Sequence, residues 1–559
     1  MFVKVTKSGP RRYVQLVEAF RDDQGKVKHR TIATLGRLDK LGDELNAVVD
    51  GLCRVTGRAL PDSPNIEFQT AKSFGDIWAL TQLWSQVGFD QLRKAFRGTR
   101  FSVPVEKLIE LMVVNRMTSP NSKLGVLRWM DEADVSAIVD PCKVNHAMLL
   151  RAMDALDKRS EAVNDALADM IRPLVDRELS IVFYDMTTIT VAGDSDFDDD
   201  LRQFGLSKEG GIRRQVMLGV VQTADGIPLY HEVFEGNTGE VGTLMPVIRK
   251  IIERYPVDRV VMVADRGLLS LDNLEALKSV VLPSGNPLEF ILAVPGRRYR
   301  DFAEILDTMA PEFAAAEEEV IAEAQWQDLR LIVAHDPARA AEQTQVRQAR
   351  IDTLVAEADR LASKLDRQDI GDTERGRQLS DGGATAKIYR AVSEAHLAKI
   401  IKIDLKSRLF RYEIDEQKLL DAEKLDGKLL LITNVRNLQP AEVVQHYKSL
   451  ADIERGFRVL KSDLEIGPIY HRLPRRIKAH ATICFIALVM TRIMRQRLKA
   501  NDSSYSPKRA LWKLRQLQRH QTLINHVPFN GISSATPEQL ELYRHLGISR
   551  PTSSENQAA

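Results

Sequence analysis

Between Ser180 and Pro295 the chain repeats one device, an apolar and β-branched run that ends on an aspartate: SIVFYD closing at Asp185 and DRVVMVAD closing at Asp265. Such runs suit a pleated sheet buried on both faces. The neighbouring runs RRQVMLGVVQTADG, IPLYHEVFEG and LEFILAVP, with amphipathic stretches at Leu244–Arg254 and Leu271–Ser279, give three strands followed by alternating helix and strand. That order predicts an α/β sheet of mixed direction. A carboxylate at the end of a buried strand is costly unless it meets a cation or donors. Metal coordination is one solution; a turn or helix cap is the other ordinary use.

At 559 residues the chain is long enough for several cores. With 44% hydrophobic and 28% charged residues it is neither collagen-like, low-complexity nor wholly disordered. Cys53, Cys142 and Cys484 stand far apart without CxxC spacing, which argues against a disulfide framework or a cysteine zinc site and favours a reducing, cytoplasmic setting. No apolar run follows the basic N-terminus to make a secretory signal. The longest apolar run, Ala481–Met490, is short for a hydrocarbon layer of about 30 Å and reads as a buried helix, so no membrane partner is expected.

Residues 1–65 read as a small basic β unit, a candidate DNA-binding element. FVKVTKSG, RRYVQLVEAF and KVKHRTIATL alternate apolar and polar residues around the turn signals SGP and DDQG, and residues 1–40 carry a net charge of +6. Residues 66–179 have helical periodicity (IWALTQLWSQVGF, VEKLIELMVVNRM, LVDREL), a candidate for binding DNA ends. The sheet-forming texture occupies 180–296. Within 297–436, AQWQDLRLIVAHDP, SRLFRYEID and KLLLITN read as strands, and Ile351, Leu354, Ala358, Leu361 and Leu365 keep a 3-4-3-4 spacing suited to a helical hairpin or a helix packed on its own domain. A long helix is expected from Pro440 within 437–500, and 501–559 is a basic C-terminal region whose tail after Thr552 is expected to be disordered.

In that helix, YKSLADIERGFRVLKSDLE, a core-facing stripe of Ile453, Phe457, Leu460 and Leu464 is flanked by a second stripe holding Tyr447, Glu454, Arg458 and Lys461. A carboxylate accompanied by cations and a phenol suits phosphate chemistry; the ordinary alternative is a salt-bridged helix face.

FYDMTT, FEGNTGE, VADRGLLS, DGKLLLITN, the Tyr447-x6-Glu454-x6-Lys461 spacing and SDLEIGPIYH, in this order from about Ser180 to Lys499, resemble the catalytic core of bacterial insertion-sequence transposases of the DDE type with a Y-x2-R-x3-E-x6-K signature. The resemblance implies an RNase H-like catalytic core with a β-rich insertion between the second aspartate and the glutamate, the small N-terminal sheet and helical region preceding it and a basic helical C-terminus following. The 189 residues from Asp265 to Glu454, against 80 from Asp185 to Asp265, leave room for the insertion. It also implies Asp185, Asp265 and Glu454 as catalytic metal ligands, Asp185 bridging, with Tyr447 and Lys461 positioning phosphate. Three such carboxylates suit two Mg²⁺ ions about 3.5 to 4 Å apart, with Mn²⁺ able to substitute. One signature position departs: its arginine falls on Leu450. Lys448 or Arg458 would then supply a phosphate contact, or Leu450 extends the core stripe.

Residues 471–520 hold thirteen Lys or Arg and one acid, Asp502. Arg472, Arg475 and Arg476 open this segment, an electrostatic footprint for nucleic acid if it is not simply a solvated basic face. The expected protein is therefore a DNA transposase that cuts at the ends of its element and joins the 3′-hydroxyl to target DNA, acting as a homodimer on double-stranded DNA. A structure-selective nuclease and an inactive DNA-binding remnant are the alternatives.

Overall fold

The computed structural model describes residues 1–41, 44–58, 66–98, 102–174, 181–193, 199–255, 259–264, 271–371, 378–524 and 527–551. They fall into two compact units, Met1–Ala71 with Arg519–Ser533, and Lys72–Gln518 with Ser534–Thr552.

In the first unit the alternating N-terminal runs form an antiparallel sheet of β1 (Phe2–Ser8), β2 (Arg11–Arg21) and β3 (Val27–Arg37). The second turn closes because Asp22 Oδ1 accepts the Gln24 and Lys26 N–H groups at 3.1 and 3.0 Å, while Gly25 takes the left-handed conformation at φ +79°. Register shifts in β2 at Val14/Gln15 and Leu16/Val17 bulge the sheet, and Val14 and Val17 are its buried residues. A helix, Glu44–Thr56, and β4 (Ile66–Ser73) follow.

The second unit opens with helices Gly75–Val87, Val105–Thr118, Lys123–Glu132, His146–Lys158 and Ser160–Ile171. Ser122 and Asn145 cap two of them by accepting the Gly125 and Met148 N–H groups. Most of the expected LVDREL helix lies outside the described residues.

A nine-stranded sheet forms the centre. Its strands are β5 (Ile181–Thr190), β6 (Gln203–Leu206), β7 (Ile212–Thr223), β8 (Pro228–Glu235), β9 (Val261–Ala264), β10 (Glu289–Ala293), β11 (Val320–Trp326), β12 (Leu329–His335) and β15 (Lys428–Thr433). The order is β11-β12-β15-β10-β9-β5-β7-β6, with β8 also on β7. β5 runs parallel to β9 and β9 to β10, whereas β5–β7 and β7–β8 are antiparallel, so the sheet is of mixed direction as its residues predict.

Residues 297–436 depart from the expected β-rich insertion. Helices Ala303–Ala314, Pro337–Asp369, Asp381–Glu394 and Glu416–Glu423 outweigh the strands, and β11, β12 and β15 extend the central sheet; among the described residues only β13 (Ile401–Ile403) and β14 (Tyr412–Ile414) form a separate ribbon. The 33-residue helix is rich in Ala, Arg and Gln, starts with Pro337 and is capped by Asp336, all of which favour helix over strand. Its 3-4-3-4 stripe packs with Ala384, Ile388 and Val392 of Asp381–Glu394, giving a helical hairpin. Gly427 makes the turn into β15 at φ +68°, where a Cβ would lie 2.4 Å from the Asp336 carbonyl oxygen.

The apolar run at Ala481 belongs to helix Pro474–Ala500, which is long and apolar enough to cross a membrane by length and composition yet is mostly buried, packed on β8 and on helices Val105–Thr118 and His146–Lys158. After it the expected basic helical C-terminus also holds strands: between helices Pro507–Arg515 and Pro537–His545, β16 (Gln518–Ile524) and β17 (Val527–Ile532) form a hairpin in the sheet order β17-β16-β4. HQTLI, with its β-branched Thr522 and Ile524, pairs as a strand here despite its basic neighbours. The expected disordered tail lies outside the described residues.

Candidate functional site

Asp185 does not close its strand. β5 continues to Thr190, with Asp185 opposite Val220 of β7, and the preceding residue, Tyr184, pairs with Ala264 of β9. Asp265 lies outside the described residues. The Asp185 side chain is 15% exposed, and its Oδ1 accepts the Met186 N–H at 2.6 Å and faces Lys208 Nζ at 3.4 Å. Lys208 Nζ also donates to the Met186 carbonyl. A recessed carboxylate already facing a positive charge is a chemically suitable cation ligand.

The helix expected from Pro440 is two helices. Pro440–Lys448 ends in a turn at Ser449–Leu450, Ala451–Arg458 follows, and Val459–Asp463 widens to π geometry, with Leu464 N–H bonded to the Val459 carbonyl at 2.9 Å. The seven-residue spacing from Tyr447 to Glu454 therefore crosses a break. Tyr447 is half-buried on the first helix, Glu454 and Arg458 are exposed on the second, and Lys461 is half-buried in the π turn. Ile453, Phe457, Leu460 and Leu464 are all buried as their periodicity predicts, and Leu450 joins them at 8% exposure. Gly456 brings the Glu454 helix close to its neighbours: a Cβ there would lie 3.1 Å from Arg492 Nη2 and 3.4 Å from Gln222 Oε1.

The chain after the π turn docks on the end of β5. Ile469 N–H bonds the Thr190 carbonyl and Ala192 N–H the Ile469 carbonyl, at 2.9 and 2.8 Å. Between this segment, β5 and the β6–β7 turn lies a cleft of about 290 Å³ lined by Thr188, Thr190, Glu209, Arg213, Lys461 and Ile466, among others. Lys461 Nζ pairs with Glu209 Oε1 at 2.9 Å. Lys208, Glu209 and Arg213 were not expected from the sequence; the Ser-Lys-Glu-Gly-Gly turn between two strands marks a tight loop, but nothing local ties it to a residue 252 positions away.

Much of the basic segment is tied into the tertiary structure. Arg475 and Arg476 both bind Asp154, at 2.8 and 2.9 Å, and Arg476 first among them holds that carboxyl below its ordinary range. Lys508, Lys513 and Arg515 pair with Asp463, Glu538 and Asp76, and Arg492 is buried. Arg472 is exposed. Among the described residues no three His, Cys, Asp or Glu side chains are grouped for a metal ion.

Residues 3–64 match the IS1634 family transposase N-terminal domain, which supports an insertion-sequence transposase. No curated protein matches the chain. Among solved structures, a cryo-EM structure of piggyBac transposase in a synaptic complex with hairpin DNA is similar at 8% identity and a TM-score of 0.37, covering 79% of this chain and 76% of that one.

Proposed function

We propose that the protein is a DNA transposase of the DDE type, which cuts at the ends of an insertion sequence and joins the 3′-hydroxyl to target DNA by two-metal phosphoryl transfer. The observation that carries this reading is the pairing of Tyr184 with Ala264 across two adjacent parallel strands, each of these residues being followed in the sequence by an aspartate, Asp185 and Asp265. The order β8-β7-β5-β9-β10, three antiparallel strands followed by two parallel to β5, supports an RNase H-like core. The match of residues 3–64 to a transposase N-terminal domain supports the same reading.

Asp185, Asp265 and Glu454 would hold the divalent ions, Mg²⁺ or Mn²⁺. Asp185 fits that role, being recessed and accompanied by an ammonium that stands where a cation is favoured. Bound ions of this kind supply Lewis-acid stabilisation and a more acidic water or 3′-hydroxyl. Lys461 and Arg213 line the cleft beside β5 and would hold a scissile-strand phosphate, as a point charge and as a fork respectively. Tyr447 and Arg458 would contact DNA further along the two helices, and Arg472 at the start of the basic segment, Arg475 and Arg476 joining it if DNA displaces Asp154. A homodimer holding two element ends in the cytoplasm completes the proposal.

The test is incubation of the purified protein with duplexes carrying the inverted repeats that flank its gene, in Mg²⁺ and in Mn²⁺. Nicking at the repeat ends followed by strand joining is the expected outcome. Cleavage of branched DNA without joining indicates a nuclease, and binding without cleavage an inactive remnant.

A further inference from the structure

The β6–β7 turn, Ser207–Gly211, is built to hold two opposite charges apart. Ser207 Oγ accepts the Glu209 N–H at 3.1 Å and Thr188 Oγ1 of β5 accepts the Lys208 N–H at 3.1 Å, so the turn is pinned to the strand that carries Asp185. Gly210 and Gly211 close it at φ +96° and +76°, with nothing within 4 Å of either missing Cβ. From this base Lys208 reaches Asp185 and Glu209 reaches Lys461. Adjacent residues of one five-residue turn thus neutralise both a carboxylate assigned to the metal and the cation assigned to the phosphate.

We propose that this turn is a charge latch that couples divalent-ion binding at Asp185 to DNA binding at Lys461, an inference that rests on the function proposed above. In the free protein Lys208 occupies the cation position beside Asp185, and Glu209 occupies the anion position beside Lys461. A divalent ion at Asp185 expels the Lys208 ammonium, and a DNA phosphate at Lys461 expels the Glu209 carboxylate. Because the two side chains share one short backbone segment, moving either loosens the other, and each ligand lowers the cost of the second. Linkage requires that the coupling be reciprocal. Both pairs are partly solvated, with side-chain exposures of 41% and 15% for Lys208 and Asp185 and of 27% and 53% for Lys461 and Glu209, so they are weak enough to be exchanged.

The latch makes predictions opposite in sign to simple Coulomb effects. Lys208→Met removes a positive charge, which alone would weaken DNA binding; by opening the turn it should instead tighten binding of a duplex of arbitrary sequence, without metal, by about fivefold. Glu209→Gln removes a negative charge, which alone would weaken cation binding; it should instead tighten Mn²⁺ binding, measured by electron paramagnetic resonance of free Mn²⁺ without DNA, by a similar factor of about five. In the unaltered protein, Mn²⁺ and duplex should strengthen each other's binding, and each variant should abolish that mutual effect. Unchanged affinities, or the Coulomb signs, overturn the latch. Asp185→Asn is the control for the underlying reading: Mn²⁺ affinity unmoved by it removes Asp185 from the metal site, whereas affinity lost without the crossed effects refutes the latch alone. Both loop substitutions are on a solvent-facing turn, and unaltered thermal unfolding checks that each variant is folded.

Discussion

Tyr184 and Ala264 are paired across two parallel strands, and each is followed in the chain by an aspartate. Two strand positions 80 residues apart are thereby made neighbours by hydrogen-bond register, with spacing between adjacent strands of about 4.8 Å. A one-residue slip of β9 would turn every side chain to the opposite face.

Asp185→Asn, Asp265→Asn and Glu454→Gln each keep the shape of the side chain and remove a charge. Each is expected to lower Mg²⁺-dependent nicking of element ends by about a hundredfold or more while leaving end binding within a few-fold. Gel-shift and nicking assays on the same preparations check this. A Glu454→Gln protein that nicks at the unaltered rate removes the third carboxylate from the site.

Leu450→Arg places an arginine at the position that the Y-x2-R-x3-E-x6-K signature gives to one. Because Leu450 is 8% exposed, buried as Ile453, Phe457 and Leu460 are, an arginine there buries an unpaired guanidinium, and the expected effect is destabilisation by about 2 to 4 kcal/mol with no faster joining. Urea unfolding and strand-transfer rate measured on the one variant decide it; unchanged stability with faster joining would show that position 450 can face DNA.

Asp154 holds both Arg475 and Arg476. Asp154→Asn should release two cations, tighten nonspecific binding, and steepen the log–log salt dependence by up to about two units, at roughly 0.9 per phosphate contact. An unchanged slope would mean that these two arginines serve the fold and not the DNA.

Lys123 is buried at the start of its helix, and burial first, with Arg116 nearby, pushes its ammonium down to about 7. In the unfolded chain it titrates near its ordinary 10.5. A lysine whose folded value is depressed contributes stability that is present above the unfolded value and lost as pH falls through the folded one, so stability should rise with pH between about 7 and 10.5 from this group. Lys123→Met should therefore stabilise most at and below pH 7, by several kcal/mol, and progressively less toward pH 10. Denaturant unfolding at several pH values checks it, and a gain independent of pH would assign the effect to packing.

Local periodicity decided a good deal. The three N-terminal strands, the mixed sheet around Asp185, the buried stripe from Ile453 to Leu464 and the stripe from Ile351 to Leu365 all follow from side chains that alternate or recur within a few residues, because burial of one face acts over that range. That the runs before Asp185 and Asp265 join one sheet was legible in their residues, whereas the direct pairing of β5 with β9 was not. The break at Ser449–Leu450 could not be expected, since both sides keep helical periodicity and Leu450 is buried whether or not the helix is continuous. Nor could the entry of β11, β12 and β15 into the central sheet, which is a matter of backbone partners far apart in sequence.

Charge was the least legible quantity. Thirteen basic residues in 471–520 look like one patch on paper, yet Asp76, Asp154, Asp463 and Glu538 return from distant segments to pair with five of them. Glu209 and Lys461 meet in the same way across 252 residues. Which residue types the chain carries, and which way each strand and helix faces, are written in its local pattern. Which charges stand beside which depends on long-range packing, because an ion pair needs only a few ångströms of proximity and places no mark on the sequence between its partners.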